Sequence, residues 1–285
     1  MSNEKSDIFK VDSWKISLNK EDEKDVVDKI TDECKLIYPL SILDTNKGSF
    51  NLFEKLIYDI AMFHFKRLNI EFDCSKHFIE YWTIDRNSQK FNLHVDCDES
   101  SRLTNNNQYF PILSTVTYFN EVSNPTLITN ITQKNKHVIL KKREYFFSFP
   151  KILKHISFNG GKYFHCAIDL FNNNYFERRR YTLCISLWNR PLLNLKHYNF
   201  KPISEEDKYV FIKDNIPYFI FEPFESIKNI TVSNTTDDSI IKKFVKKNFW
   251  NALTIEKELF YTFFNNVITK DDIEKYNLFN VICNS

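Results

Sequence analysis

Between residues 77 and 190 the chain carries a succession of short aromatic and β-branched runs separated by polar turns. No other feature limits its possible folds as much. The runs cover residues 77–84 (HFIEYWTI), 91–96, 109–119 (YFPILSTVTYF), 125–131, 137–140, 145–149, 164–170 and 181–188. Their spacing of roughly 8–15 residues, with turn signals between, predicts an all-β sandwich or barrel.

The flanks read differently. Val26, Val27, Ile30 and Cys34 recur at helical spacing within residues 22–36. A stronger helix is predicted over 49–68, with Ser49 as its cap and a stripe of Phe53, Leu56, Ile57, Ile60, Ala61 and His64 that should pack on a sheet. Residues 239–251 and 255–268 again show helical periodicity, with apolar positions such as Phe244, Trp250, Phe260 and Phe263. The expected organisation is an N-terminal helical support region at 1–76, a β core at 77–195 and a mainly helical C-terminal extension at 196–285.

Composition narrows the function classes. With 42% hydrophobic and 27% charged residues the chain is globular, not disordered. No apolar run approaches the ~18 residues of a membrane span. The net charge of +2 gives no argument for a nucleic-acid or membrane partner, and the lysines at 242, 243, 246 and 247 read as a solvated helix face. Six cysteines include no C-x-x-C pair, and the polar N-terminus shows no signal-peptide core, so the expectation is an intracellular protein with reduced thiols. Only three glycines occur, and Gly160-Gly161 holds two of them, which marks a backbone requirement at that point.

One segment carries chemistry: Leu93-His94-Val95-Asp96. Residues two apart on a strand share a face, so His94 and Asp96 project together and can offer adjacent ligands to a metal. A second histidine, His165, follows the glycine pair and opens an apolar run. Fifteen residues later Arg180 begins RYTLCISLW, where Arg180, Thr182, Cys184 and Ser186 share one face. A guanidinium on a buried face needs an anion, and its fork suits a carboxylate. Arg178 and Arg179 compete for that role.

The order His-x-Asp, a distant His, then Arg with a nearby hydroxyl at a strand start resembles the Fe(II)/2-oxoglutarate-dependent oxygenases. The resemblance covers roughly residues 77–190. It implies a double-stranded β-helix (jelly roll) core, mainly β with flanking α. It implies His94, Asp96 and His165 as ligands of Fe(II), a two-His-one-carboxylate set that leaves open positions. It implies Arg180 and Thr182 on the distal carboxylate of 2-oxoglutarate, joined by Tyr118, which matches a tyrosine of prolyl-hydroxylase-like members. Two features depart from those members: Asn124-Pro125-Thr126-Leu127 stands where a Gly-Gly turn is common, and the His165-to-Arg180 gap is long, with Asn172-Asn173-Asn174 as its expected turn.

The resemblance implies a dioxygenase, a hydroxylase in the first instance. It would consume O2 and 2-oxoglutarate and act on a protein or peptide side chain. A nucleic-acid base is the second choice, and no membrane partner is expected. Two other readings stay open: a cupin-like metal protein that does not use 2-oxoglutarate, and a non-catalytic jelly-roll binding module.

Overall fold

The computed structural model describes residues 9–18, 23–35, 40–46, 49–86, 94–105, 107–121, 125–133, 143–167, 180–192, 195, 211–212, 218–224 and 228–232. Among these, the elements run β1 (Val11–Leu18), α1 (Glu23–Lys35), β2 (Ser41–Ile42), β3 (Ser49–Phe50), α2 (Leu52–Arg67), β4 (Phe78–Arg86), α3 (Glu99–Asn105), β5 (Leu113–Tyr118), β6 (Thr126–Thr132) and β7 (Arg143–Ser148). They continue with β8 (Lys154–Phe158), β9 (Tyr163–Ala167), β10 (Arg180–Trp188), β11 (Phe211–Ile212), β12 (Phe219–Pro223) and β13 (Lys228–Val232).

The strands build two facing antiparallel sheets. The larger has the order β12-β1-β8-β5-β10-β4-β2 and the smaller β13-β7-β6-β9, with β3 and β11 paired apart from both. From β4 onward the chain shuttles between them. β4 lies in the large sheet, and His94 then bridges to His165 of β9 in the small one. β5 returns to the large sheet, β6 and β7 to the small, β8 to the large, β9 to the small and β10 to the large. This alternation is a jelly roll, as the family resemblance implied.

Alternation along each strand sorts the side chains into two cores. Val116, Tyr118, Ile156, Phe158 and Cys184 of the large sheet meet Ile128 and Tyr163 of the small sheet between the layers. Leu183, Ile185 and Leu187 face the other way and pack with Ile30, Phe53, Leu56, Ile57 and Ile60 of the two long helices. Each such side chain stabilises the fold by roughly 1.5–3 kcal/mol when fully buried.

The helix expected over 49–68 forms as α2, but its start differs. Ser49 belongs to β3, and Asn51 is the cap. Asn51 Oδ1 accepts from the Glu54 backbone N–H at 2.8 Å, and Glu54 Oε2 accepts from the Asn51 N–H at 2.9 Å. This reciprocal pair is stronger than a lone serine cap because it satisfies two orphan donors. Within α2, a buried Lys55–Asp59 pair at 2.7 Å leaves Asp59 Oδ2 to accept the backbone N–H groups of Tyr218 and Phe219, at 2.8 and 3.2 Å, which anchors β12.

Several strands escaped the sequence pattern. β1 falls in the stretch expected to be helical support, and β12 and β13 extend the two sheets from the stretch expected to be mainly helical. β8 (KHISF) is buried on both faces, so Lys154, His155 and Ser157 break the apolar alternation that marks a half-buried strand. It follows a turn in which Leu153 takes a left-handed backbone, φ 56°, a conformation disfavoured by roughly 1–2 kcal/mol. Bonds from Leu153 N to Tyr118 O and from Ile16 N to Leu153 O hold that turn. The strand expected at 137–140 and the helices expected at 239–251 and 255–268 lie outside the described residues. No helix among the described residues is long and apolar enough to cross a membrane.

His64 and His155 show no partner pattern in the sequence, yet they meet between α2 and β8, Nε2 to Nε2 at 2.8 Å. Arg67 Nε donates to His64 Nδ1 at 3.4 Å, and His155 Nδ1 lies 2.8 Å from Thr117 Oγ1. A guanidinium can only donate. His64 therefore carries its proton on Nε2 and donates to His155, whose own proton sits on Nδ1 and reaches Thr117. Burial drives both imidazoles toward the neutral form: His64 titrates well below its ordinary range, and His155 is pushed down to about 3. A histidine kept neutral in the fold adds stability above its unfolded pKa, and that stability is lost as pH falls through the window between the two values. Urea unfolding is expected to show stability declining below pH ~6.5, with His155 contributing about 2 kcal/mol of the loss by pH 5. His155→Gln should flatten that slope.

Candidate metal centre

The candidate metal ligands His94, Asp96 and His165 lie where the 94–98 segment runs beside β9. His94 and His165 exchange backbone hydrogen bonds, N to O at 3.0 Å and 2.9 Å, and the Asp96 N–H reaches Gly160 O at 2.9 Å. This pairing sets the histidines opposite each other, with ring centroids 4.4 Å apart. Asp96 Oδ1 lies 3.5 Å from His94 Nε2 and 3.4 Å from His165 Nε2. All three ligand atoms fall within 4.8 Å of one another. Ligand atoms held ~2.1 Å from one ion stand about 3.0–3.4 Å apart, so the group closes on a metal with little movement.

Two of the three side chains, His165 and Asp96, are oriented from behind. His165 Nδ1 donates to Tyr163 O at 3.0 Å, which fixes the ring with Nε2 facing Asp96. The Phe158 ring packs edge-on against His165, with centroids 4.7 Å apart. Burial alone raises the Asp96 carboxyl, but the adjacent His165 and His94 outweigh it and hold it well below the usual carboxylate range. Ser114 Oγ donates to Asp96 Oδ2 at 2.6 Å.

The glycine pair has a steric reason. A Cβ at Gly160 would stand 2.2 Å from Ser114 Oγ and 2.3 Å from Asp96 Oδ2, and one at Gly161 would stand 2.6 Å from Phe110 Cβ. Side chains of this turn are excluded because the 96 segment and the 110 segment close on it from two sides.

The residues after the ligands do structural work. Asp98 is buried and accepts from the Ser101 N–H at 3.0 Å and from Ser101 Oγ at 2.7 Å, fixing the start of α3. Glu99 pairs with Arg102. The Cys97 thiol contacts Glu99 at 3.4 Å, and burial pushes it up to about 12, so it stays protonated.

Arg180, Thr182 and Tyr118 come together between the sheets. Tyr118 and Thr182 are cross-strand partners, and the Arg180 guanidinium lies 5.3 Å from the Tyr118 ring centre. Both converge on a residue the sequence reading missed. Thr126 Oγ1 lies 2.7 Å from Arg180 Nη2 and 2.7 Å from Tyr118 OH. Thr126 pairs with Ala167 on β9, two residues from His165 and therefore about 7 Å along the strand. Arg178 and Arg179 lie outside the described residues.

Other groups were also missed. Lys154 is buried, bonds Phe149 O at 2.8 Å and sits 5.9 Å from the Tyr118 ring; burial pushes it down to about 7. Glu80 is buried beneath Trp188, whose Nε1 donates to it at 2.9 Å. Burial, reinforced by the charges of Asp96 and Asp98, pushes Glu80 up to about 8, so it is neutral at pH 7. Trp188 is thus a core residue with a polar task, while Trp82 packs at the edge of the inter-sheet core. The available signal was strand alternation, which puts Ser114, Thr126 and Glu80 on inward faces, but uncharged hydroxyls are common on any strand.

No protein-family model matches the sequence, and no curated protein does. Solved structures do align with the chain. A prolyl-4-hydroxylase from Pseudomonas putida aligns at 14% identity over 62% of this chain and 84% of its own, with TM-score 0.40. IDO from Bacillus thuringiensis aligns at 13% identity over 63% and 91%, with TM-score 0.38. HygX from Streptomyces hygroscopicus, solved with nickel and 2-oxoglutarate bound, aligns at 11% identity over 66% and 88%, with TM-score 0.37. At these values the jelly roll rests on the strand order described above rather than on the likeness.

Gly160→Ala is expected to weaken divalent-metal binding by at least tenfold, by displacing Asp96 or Ser114. Titration of the metal-free protein with Co(II) measures this, and an unchanged affinity would show that the turn can give way without disturbing the ligands.

Proposed function

We propose that this chain is an Fe(II)- and 2-oxoglutarate-dependent dioxygenase that hydroxylates a protein side chain. The observation that carries the reading is the convergence of two imidazole nitrogens and one carboxylate oxygen at the edge strand β9 of a jelly roll, with a buried arginine one pleat repeat away between the same sheets. This donor set suits iron(II): two neutral nitrogens and one anionic oxygen on one side, with the other side left open. When bound, the iron and 2-oxoglutarate supply oxidising power, so that one atom of O2 enters a C–H bond and the other leaves in succinate as CO2 is released.

The chain's own residues bind and orient. His94, Asp96 and His165 hold the metal, with His165 fixed by Tyr163 O. Arg180 takes the distal carboxylate of the co-substrate through its paired N–H donors. Thr182 adds a buried hydroxyl, and Tyr118, kept protonated by burial, offers an O–H. Both Arg180 and Tyr118 now rest on Thr126 Oγ1, so an entering carboxylate replaces contacts to a neutral hydroxyl with charged ones. Val116, Ile128 and Ile156 wall the space with apolar surface and exclude water. A protein side chain as substrate rests on the resemblance of the Tyr118 strand to prolyl-hydroxylase-like members.

Anaerobic addition of Fe(II) and 2-oxoglutarate is expected to give a visible metal-to-ligand charge-transfer band, and Arg180→Ala should abolish the band while sparing metal binding. Iron binding without a band in the wild type would favour the cupin-like alternative. Absence of iron binding would leave a jelly-roll binding module.

A further inference from the structure

The two oxygens of Asp96 have different surroundings. Oδ1 faces both imidazoles, 3.5 Å from His94 Nε2 and 3.4 Å from His165 Nε2. Oδ2 points back into the large sheet, where Ser114 Oγ donates to it at 2.6 Å. The short distance is that of a hydroxyl bonded to an ionised carboxylate.

Ser114 has little freedom to move. It is buried on β5, the strand between β8 and β10, in register with Phe158 on one side and Ser186 on the other. Gly160 closes over the contact, since a Cβ there would overlap both Ser114 Oγ and Asp96 Oδ2. The carboxylate plane is therefore set by a fixed donor in front of a bare backbone.

We propose that Ser114 is a positioning residue that makes Asp96 a one-oxygen metal ligand. By occupying Oδ2, it prevents the carboxylate from turning both oxygens onto the ion. The inference rests on the metal-centre reading above and deepens it. Three protein atoms on a six-coordinate ion leave three positions, enough for a co-substrate that binds through two atoms and for O2. A two-oxygen Asp96 would take one of the three.

The test uses the full-length protein loaded with Zn(II) and labelled with 13C-carboxylate aspartate. Metal-minus-apo infrared difference spectra report the splitting between the two carboxylate stretches, which is wide for a one-oxygen ligand and narrow for a two-oxygen one. Affinity is read in parallel by Co(II) titration. The wild type is expected to show the wide splitting. Ser114→Ala should narrow it and weaken Co(II) binding by roughly 10–100-fold, while Ser114→Thr, which keeps the hydroxyl, should retain the wide splitting. A merely structural role for Ser114 would lower thermal stability without changing the splitting. The proposal is overturned if the wild type shows the narrow splitting, if Ser114→Ala keeps the wild-type splitting whatever its affinity, or if Ser114→Thr narrows the splitting as alanine does. A wild type that binds neither metal overturns the metal-centre reading itself, and this inference with it.

Discussion

The reciprocal backbone bonds between His94 and His165 are the constraint on which the site depends. They join a segment that is otherwise outside the named strands to the edge of the small sheet. Directly opposed residues in an antiparallel pair present side chains on the same face, so this one bridge places both imidazoles together. It also fixes Asp96, two residues on, over the Gly160 turn. No charged contact is needed to assemble the three ligands. Backbone register does it, and the bonds from His165 Nδ1 to Tyr163 O and from Ser114 Oγ to Asp96 Oδ2 then set the orientation of the ring and the carboxylate.

That division explains what could be read from the sequence and what could not. The His-x-Asp pair, the second histidine and the strand that opens with Arg180 are period-two patterns, and a period survives in the primary structure. The glycine pair was legible as a requirement because glycine is so scarce here, although its cause, the approach of Ser114 and Asp96, needed coordinates. Ser114 and Thr126 were not legible. Each is a hydroxyl residue on a strand, and its importance comes from partners 18 and 54 residues away. β8 was missed for a related reason: its outward face meets α2 through His155 and Ser157, so burial there is polar and leaves no hydrophobic signature.

The helix side of the large sheet is more polar than its burial would suggest. Arg67 bonds Asp12 at 2.7 Å and Ser157 at 3.1 Å, and it begins the donor chain through His64 and His155 to Thr117. Beyond His64 of α2 itself, the partners lie on β1 (Asp12), β8 (His155 and Ser157) and β5 (Thr117). A buried network of this kind stabilises only when every member is satisfied, and it specifies how α2 sits on the sheet in a way that interchangeable apolar contacts do not. The orientation of α2 in turn matters to β12, which docks on Asp59 of the same helix.

β10 shows how tightly stability and chemistry are tied. Its odd-numbered residues from Leu183 to Leu187 enter the helix-side core, while Arg180, Thr182, Cys184 and Ser186 occupy the inter-sheet space. A shift of one residue would exchange the two sets. Leucines would then fill the space beside Tyr118 and Thr126, and a guanidinium would be forced beneath α2. Pairing with β4 along all nine residues, and with β5 along six, opposes such a slip. The strand that carries the candidate co-substrate arginine is thus also the one that the fold holds most firmly in register. An error of alignment there would cost the core as much as the site.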